Sequence, residues 1–382
     1  MSVLAFPAPR EPLSAELLGE DGAVDLLRRL VEIRSESGDE AAASRFLVER
    51  LSAAGLDAHV DGVGNAVGTV RFGAGSRRLL LLGHIDTVPG GPPVELRDGK
   101  LYGRGSVDAK GPLATFACAA ARLAQDPASA DLDLELTVVG AVEEEVSSSK
   151  GARHLLTGPG TDACIIGEPS SAGAATLGYK GRLMVDLERR LPTSHSAGPL
   201  PTASALAVDD WNAVQAWAAR WNEEAERPGI FGALQTELQS IVGERQGDED
   251  VCRAVFGFRL PPALAPEALE TALRDLWGEP ELGDRSVRFR GHEQAWVSGR
   301  SHGLARAFSG AIRQVTGERP RFKHKTGTSD MNVVAPVWQC PILAYGPGDS
   351  SLDHTPWEHV PIDEYLSAID VLEAAIRRWA VS

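Results

Sequence analysis

Apolar residues recur at helical spacing over 23–33, through Val24, Leu26, Leu27, Leu30 and Val31, and again at Phe46, Leu47 and Leu51. The polar run 35–40 separates the two patterns and Gly55 closes the second, so two amphipathic helices are predicted. Short β-like pieces follow at 57–60 and 65–70. The four leucines at 79–82, bounded by Arg78 and Gly83, predict a strand buried on both faces, and a second such strand is predicted over 132–142. Between them, the Ala-rich stretch 111–124 places Leu113, Phe116, Ala119, Ala120 and Leu123 on one stripe and reads as a helix. Strand, helix and strand in this order predict an α/β layered domain, its mixed central sheet flanked by helices.

After 164–168 the texture changes. Residues 181–189 alternate like a strand with one wet face, and 203–224 read as a long amphipathic helix carrying Trp211, Val214 and Trp217. Further strands are predicted at 251–260 and 286–290 around a helix at 267–277, which together describe an inserted α+β unit with two helices on an antiparallel sheet. Helical periodicity returns at 302–315, followed by a buried strand at 342–345 and a last helix at 362–379.

Composition narrows the function classes. The 382 residues are 43% hydrophobic and 24% charged, with 40 Gly and 24 Pro, which excludes collagen, a coiled coil and a disordered tail. A formal net charge of −15 repels phosphate backbones and anionic lipid, so generic nucleic-acid or membrane-surface binding is not expected. Cys118, Cys164, Cys252 and Cys340 form no Cys-x-x-Cys pair, and the first residues lack a basic segment followed by an apolar one. Reduced thiols and a cytoplasmic location are the expectation.

Five side chains stand where chemistry is placed in open α/β sheets, at or just beyond strand ends. His84 ends the leucine strand in Gly-His-Ile-Asp-Thr, and Asp86 is spaced to fix its imidazole tautomer. Asp108 precedes the Ala-rich helix, Glu143-Glu144-Glu145 follow one buried strand, Glu168 another, and His354 lies beyond a third. Each has an ordinary reading: a loop histidine, a helix N-cap, a solvated run of acids. Jointly, hard oxygen and imidazole donors without thiolate suit zinc, cobalt or manganese. One carboxylate more than a single tetrahedral site needs points to two ions sharing a ligand.

GHIDTVP, GRGSVDAKG, the EEE run, GEPS and a late HTP occur in an order that resembles the M20 family, the zinc-dependent aminoacylases and carboxypeptidases with co-catalytic metal ions. Within it, VEEEVSSSKGAR and Gly-Tyr-Lys-Gly make the sequence most similar to the lysine and ornithine deacylases of amino-acid biosynthesis, a branch that includes release of lysine from an amino-group carrier protein. The resemblance implies that His84 and Glu168 hold one Zn2+ or Co2+, that Glu145 and His354 hold the other, and that Asp108 bridges. It implies Glu144 as general base, Asp86 behind His84, and a cis peptide bond after Asp108. It also implies a catalytic domain over 1–176 and 292–382 and an inserted lid over 177–291 that mediates a homodimer, with His195 reaching the partner's site to stabilise the oxyanion. Arg259 and the loop of Gly327, Thr328 and Ser329 would contact substrate. Two departures stand out: the phrase after His195 is only similar to the family's, and Glu143 replaces the usual Asp.

The expected activity is therefore hydrolysis of a linear amide C–N bond, releasing lysine or ornithine from a carrier-linked or N-acylated form. An N-acetylornithine or succinyl-diaminopimelate deacylase, or a carboxypeptidase, would use the same centre. A catalytically inactive binding protein of the same fold is the reading from another class, and retention of five donors with Glu144 argues against it. An acidic carrier would need basic residues on this acidic enzyme, for which Arg182, Arg189, Arg190, Arg321, Lys323 and Lys325 are the candidates.

Overall fold

The computed structural model describes residues 19–195, 197–224 and 229–381. The chain divides into two compact units: residues through Leu177 with Ser298–Lys323 and Val337 onward form the first, and Gly178–Val297 with His324–Pro336 form the second.

The first unit is built on a mixed sheet. Its strands run in the order Asp57–Val60, Ala66–Phe72, Leu134–Ala141, Arg77–His84, Ala163–Gly167, Ile342–Ala344, Ala174–Tyr179. Leu134–Ala141, Arg77–His84, Ala163–Gly167 and Ile342–Ala344 are parallel, so their carboxyl ends lie along one edge. Leucines 79, 81 and 82 are buried to within 1% exposure, as a strand covered on both faces requires.

A row of glycines lies just inside that edge. Gly83 pairs with Gly140 on one side and Gly167 on the other. A Cβ at Gly167 would meet the Phe116 ring at 3.0 Å, and one at Gly83 or Gly140 would press on Leu113 at 3.2 Å. The bare backbone lets helix Lys110–Gln125 pack directly on the sheet beneath the strand ends. That helix is apolar nearly all round and sits in one core with helices Glu20–Glu32, Gly303–Thr316 and Ile362–Ala380. None of the described helices is long and apolar enough to cross a membrane.

The second unit has a core of its own. Four antiparallel strands run in the order Gln235–Gln246, Glu249–Leu260, Gly181–Pro192, Asp284–Glu293, and helices Ala203–Glu224 and Pro266–Trp277 pack on them through Val214, Phe256, Phe258, Leu269 and Leu273. The edge strand Gln235–Gln246 is absent from the sequence reading because it shows no apolar alternation. Its ladder to Glu249–Leu260 and the Gly247 turn (φ 62°) hold it instead.

Charge placement here corrects one expectation. Arg189 is almost wholly buried and grips Asp210 at 2.6 and 2.8 Å, while Arg285 reaches the same carboxylate at 3.1 Å. Arg182 pairs with Glu293, and Arg190 with Glu188 and Glu249. These arginines neutralise acids of their own sheet or, for Arg189, of the helix Ala203–Glu224 packed on it, and supply no basic docking patch. Replacing Asp210 with Ala leaves two buried guanidinium groups without their counter-ion, so a loss of about 3–5 kcal/mol is expected. Urea unfolding followed by the fluorescence of Trp211, Trp217 and Trp277 measures it, and a loss below about 1 kcal/mol would mean the network carries no stability.

Candidate metal centre

The parallel strands deliver three donor groups to one edge of the first unit. His84 is the last residue of Arg77–His84, Glu144 and Glu145 follow Leu134–Ala141, and Glu168 follows Ala163–Gly167. Asp108 arrives from the loop before helix Lys110–Gln125, where Ala109 and not Asp108 occupies the N-cap position. The Asp108–Ala109 peptide bond is cis. His354 comes from the far end of the chain with a φ of +61°, a conformation a non-glycine residue holds only where its surroundings enforce it.

These residues converge. Ligand atoms of His84, Asp108 and Glu145 lie within 4.8 Å of one another, as do those of His84, Glu144 and Glu168. Asp108 stands between the imidazoles, with Oδ1 3.2 Å from His84 Nε2 and Oδ2 3.1 Å from His354 Nε2. His354 Nε2 is also 3.1 Å from Glu145. The acidic run separates by direction: Glu143 turns away to accept from Ser148 Oγ and Lys150 Nζ, and its two successors stay with the cluster.

Asp86 does more than the spacing to His84 suggests. Its carboxylate, fully buried, lies 3.5 Å from His84 Nδ1 and accepts the backbone N–H groups of Glu144 and Glu145 at 3.0 and 3.1 Å. Ser37 Oγ donates to it at 2.7 Å. The main-chain carbonyl of Asp86 is 3.0 Å from His84 Nδ1. One side chain thus orients both the imidazole and the acidic turn. Ser37 and Glu40, which accepts from Glu143 N at 3.2 Å, sit in the polar break that the sequence marked only as a helix boundary.

The electrostatics follow from crowding. Burial works against a charged His84, but hydrogen bonds to Asp108 and Asp86 outweigh it and hold the imidazole well above its usual pKa. Asp108 and Glu145 hold His354 up to about 10. Burial alone would raise Asp108, yet the two imidazoles press it well below the carboxylate range, whereas burial and the charge of Asp108 push Glu145 up. Carboxylates brought this close favour positive charge among them, which is what raises the two imidazoles. The donors are oxygen and imidazole nitrogen only, a set that fits borderline divalent cations.

The oxyanion and substrate-contact candidates from the sequence belong to the second unit. His195 lies on the exposed loop after Gly181–Pro192, with Nδ1 accepting from Ala197 N at 3.1 Å. Arg259 on strand Glu249–Leu260 donates to Thr328 Oγ1 at 3.2 Å. Gly327 precedes Thr328, and the buried Ser329 donates its N–H to Asn332 Oδ1 at 2.9 Å.

Comparison with known proteins adds to this geometry. Residues 80–378 match the model of peptidase family M20/M25/M40. The chain belongs to that family. Among its relatives, the LysW-lysine hydrolase of Deinococcus radiodurans is 44% identical over 358 residues, covering 93% of this chain and 96% of the relative. A Thermococcus kodakarensis protein provisionally named LysW-lysine/LysW-ornithine hydrolase is 39% identical, covering 93% and 92%. The fold matches the crystal structure of an M20 family metallo-carboxypeptidase from Sulfolobus solfataricus with a TM-score of 0.76 at 17% identity, over 94% of this chain and 99% of that one. The family read from the motifs is the family these matches show.

The raised pKa of His84 and His354 favours protonated imidazoles, so a cation that took them as donors at neutral pH would displace protons. Calorimetric titration with Zn2+ or Co2+ in buffers of different ionisation enthalpy is expected to show net proton release. Apparent affinity should fall by about tenfold per pH unit for each displaced proton as pH is lowered. A binding enthalpy independent of buffer would contradict it.

Proposed function

We propose that this family member is a cytoplasmic two-metal amidohydrolase that releases lysine from a carrier-protein-linked form. The position of Asp108, one oxygen toward each imidazole, carries the two-metal reading, because a shared carboxylate between two donor sets is what a pair of cations requires. His84 and Glu168 would hold one cation, and Glu145 and His354 the other. When bound, two such cations lower the pKa of a shared water toward neutrality and polarise the amide carbonyl. The identity to the Deinococcus radiodurans relative supports lysine and its carrier as the substrate, with ornithine second.

Glu144 is the residue left over once the donors are assigned. Its backbone is pinned by Asp86, and its carboxylate lies with His84 and Glu168. In this reading it takes the proton of the attacking water and returns it to the leaving amine. Arg259 supplies a planar cation suited to an α-carboxylate, held by Thr328 in the loop Gly327–Ser329. The second unit acts as a lid that pairs with its copy in a homodimer, and His195 completes the neighbouring site by stabilising the oxyanion.

Glu144→Gln is expected to keep metal stoichiometry and lower kcat by about 10²–10⁴, since general base catalysis is worth that much. Retention of more than about a tenth of the rate would remove Glu144 from the role. A product assay against carrier-linked lysine, acetyl-lysine, acetyl-ornithine and succinyl-diaminopimelate decides the substrate. Preference for either of the last two would favour the deacylase reading.

The dimer is tested separately. Mixing His195→Ala with Glu144→Gln should restore activity, because the heterodimer contains one site with every group intact. No recovery despite verified subunit exchange would place His195 outside the reaction.

A further inference from the structure

The donors reach the centre from two structural bodies. His84, Glu144, Glu145 and Glu168 hang on the carboxyl ends of the large sheet. Asp108 and His354 belong to a small one: strands Lys100–Tyr102 and His359–Pro361 pair antiparallel, the first leading into the Asp108 loop and the second following the His354 loop. At the open end of that ladder lies Glu358, completely buried. Its Oε1 accepts the backbone N–H groups of Gly105, Val107 and Asp108 at 2.9, 3.0 and 3.1 Å. Its Oε2 receives Arg104 Nη1 at 2.5 Å, and its main-chain carbonyl receives Gly103 N at 3.2 Å. The second arm of Arg104 crosses to the carbonyl of His354 at 3.2 Å.

We infer that Arg104 and Glu358 are positioning residues, a clamp that makes Asp108 and His354 one rigid donor pair and sets it against the strand-borne donors. This rests on the two-metal reading above. A buried carboxylate receiving three main-chain N–H groups and a guanidinium has almost no freedom, and one of those N–H groups is that of Asp108 itself. Moving Asp108 out of line breaks a charge-assisted hydrogen bond. His354, in its left-handed conformation, is tied through its carbonyl to the same guanidinium. The fork of Arg104 thus joins loops 250 residues apart, which a point charge such as Lys does less well. Glu358 is in neither group of converging ligand atoms, so the pair acts through the donors it holds.

The consequence is asymmetric. The strand-borne donors are fixed by the sheet whether or not the clamp is intact. Loosening it should weaken both cations through the shared Asp108, and weaken most the one that also depends on His354. Glu358→Gln and Arg104→Lys are the variants, read by competition of Zn2+ and Co2+ against a chelator of known affinity, with thermal unfolding of the metal-free proteins alongside. The wild type should take two ions, and each variant should hold both less tightly, the more affected one about 10–100-fold more weakly, the range for lost orienting partners, and the other by clearly less. Arg104→Lys should be the milder of the two, because it keeps the charge. Raising the metal concentration should recover kcat with KM little changed.

Equal affinities for both ions, in wild type and folded variants alike, would overturn the clamp. So would equal weakening of both ions, which is what a merely structural role predicts. A wild type that binds a single ion would overturn the two-metal reading instead, independently of the clamp. Should Glu358→Gln not fold, Arg104→Lys decides, since it leaves Glu358 and its three backbone bonds in place.

Discussion

Everything about the first unit turns on holding four carboxylates together at the end of a buried sheet. Asp108, Glu144, Glu145 and Glu168 lie in two overlapping groups around His84, where water cannot screen them well. Such an arrangement favours positive charge among them, and the neighbouring carboxylates raise the pKa of His84 and His354 accordingly. The same crowding makes the cluster a candidate to hold divalent cations, with Asp108 between the two imidazoles.

Rigid support for that cluster comes from layers that carry no chemistry. The glycine row at 83, 140 and 167 lets the Lys110–Gln125 helix approach the strand ends, which fixes where the Asp108 loop begins. Asp86 and Glu358 play matching parts. Each is a fully buried carboxylate accepting consecutive or nearby backbone N–H groups, so each freezes a loop that presents donors. The second unit solves its own electrostatic problem differently, by burying Asp210 between Arg189 and Arg285 beside the Trp277 indole.

Local pattern made much of this legible. Leucines 79–82 announce a strand covered on both faces, and a histidine at its end is conspicuous because apolar strands seldom finish in an imidazole. Acids after the strands at 134–141 and 163–167 stand out for the same reason. The edge strand Gln235–Gln246 did not, because its pairing is made by backbone and its side chains are mostly exposed. The run Glu143–Glu145 showed three acids and no directions. A positive φ at Glu143 and the hold of Asp86 on the next two amides separate them.

By itself, the order of residues determined the α/β class, the inserted antiparallel unit, the family and the set of side chains able to donate to a metal, since each is written in periodicity or in a motif of a few neighbouring positions. Tertiary structure decided the rest. That Asp108 faces two imidazoles, that Arg182, Arg189 and Arg190 are spent on acids of their own unit, and that Glu358 grips a loop 250 residues away are facts of through-space distance. No local pattern encodes them, because a carboxylate reads the same in sequence whether it meets water, a guanidinium or three backbone amides.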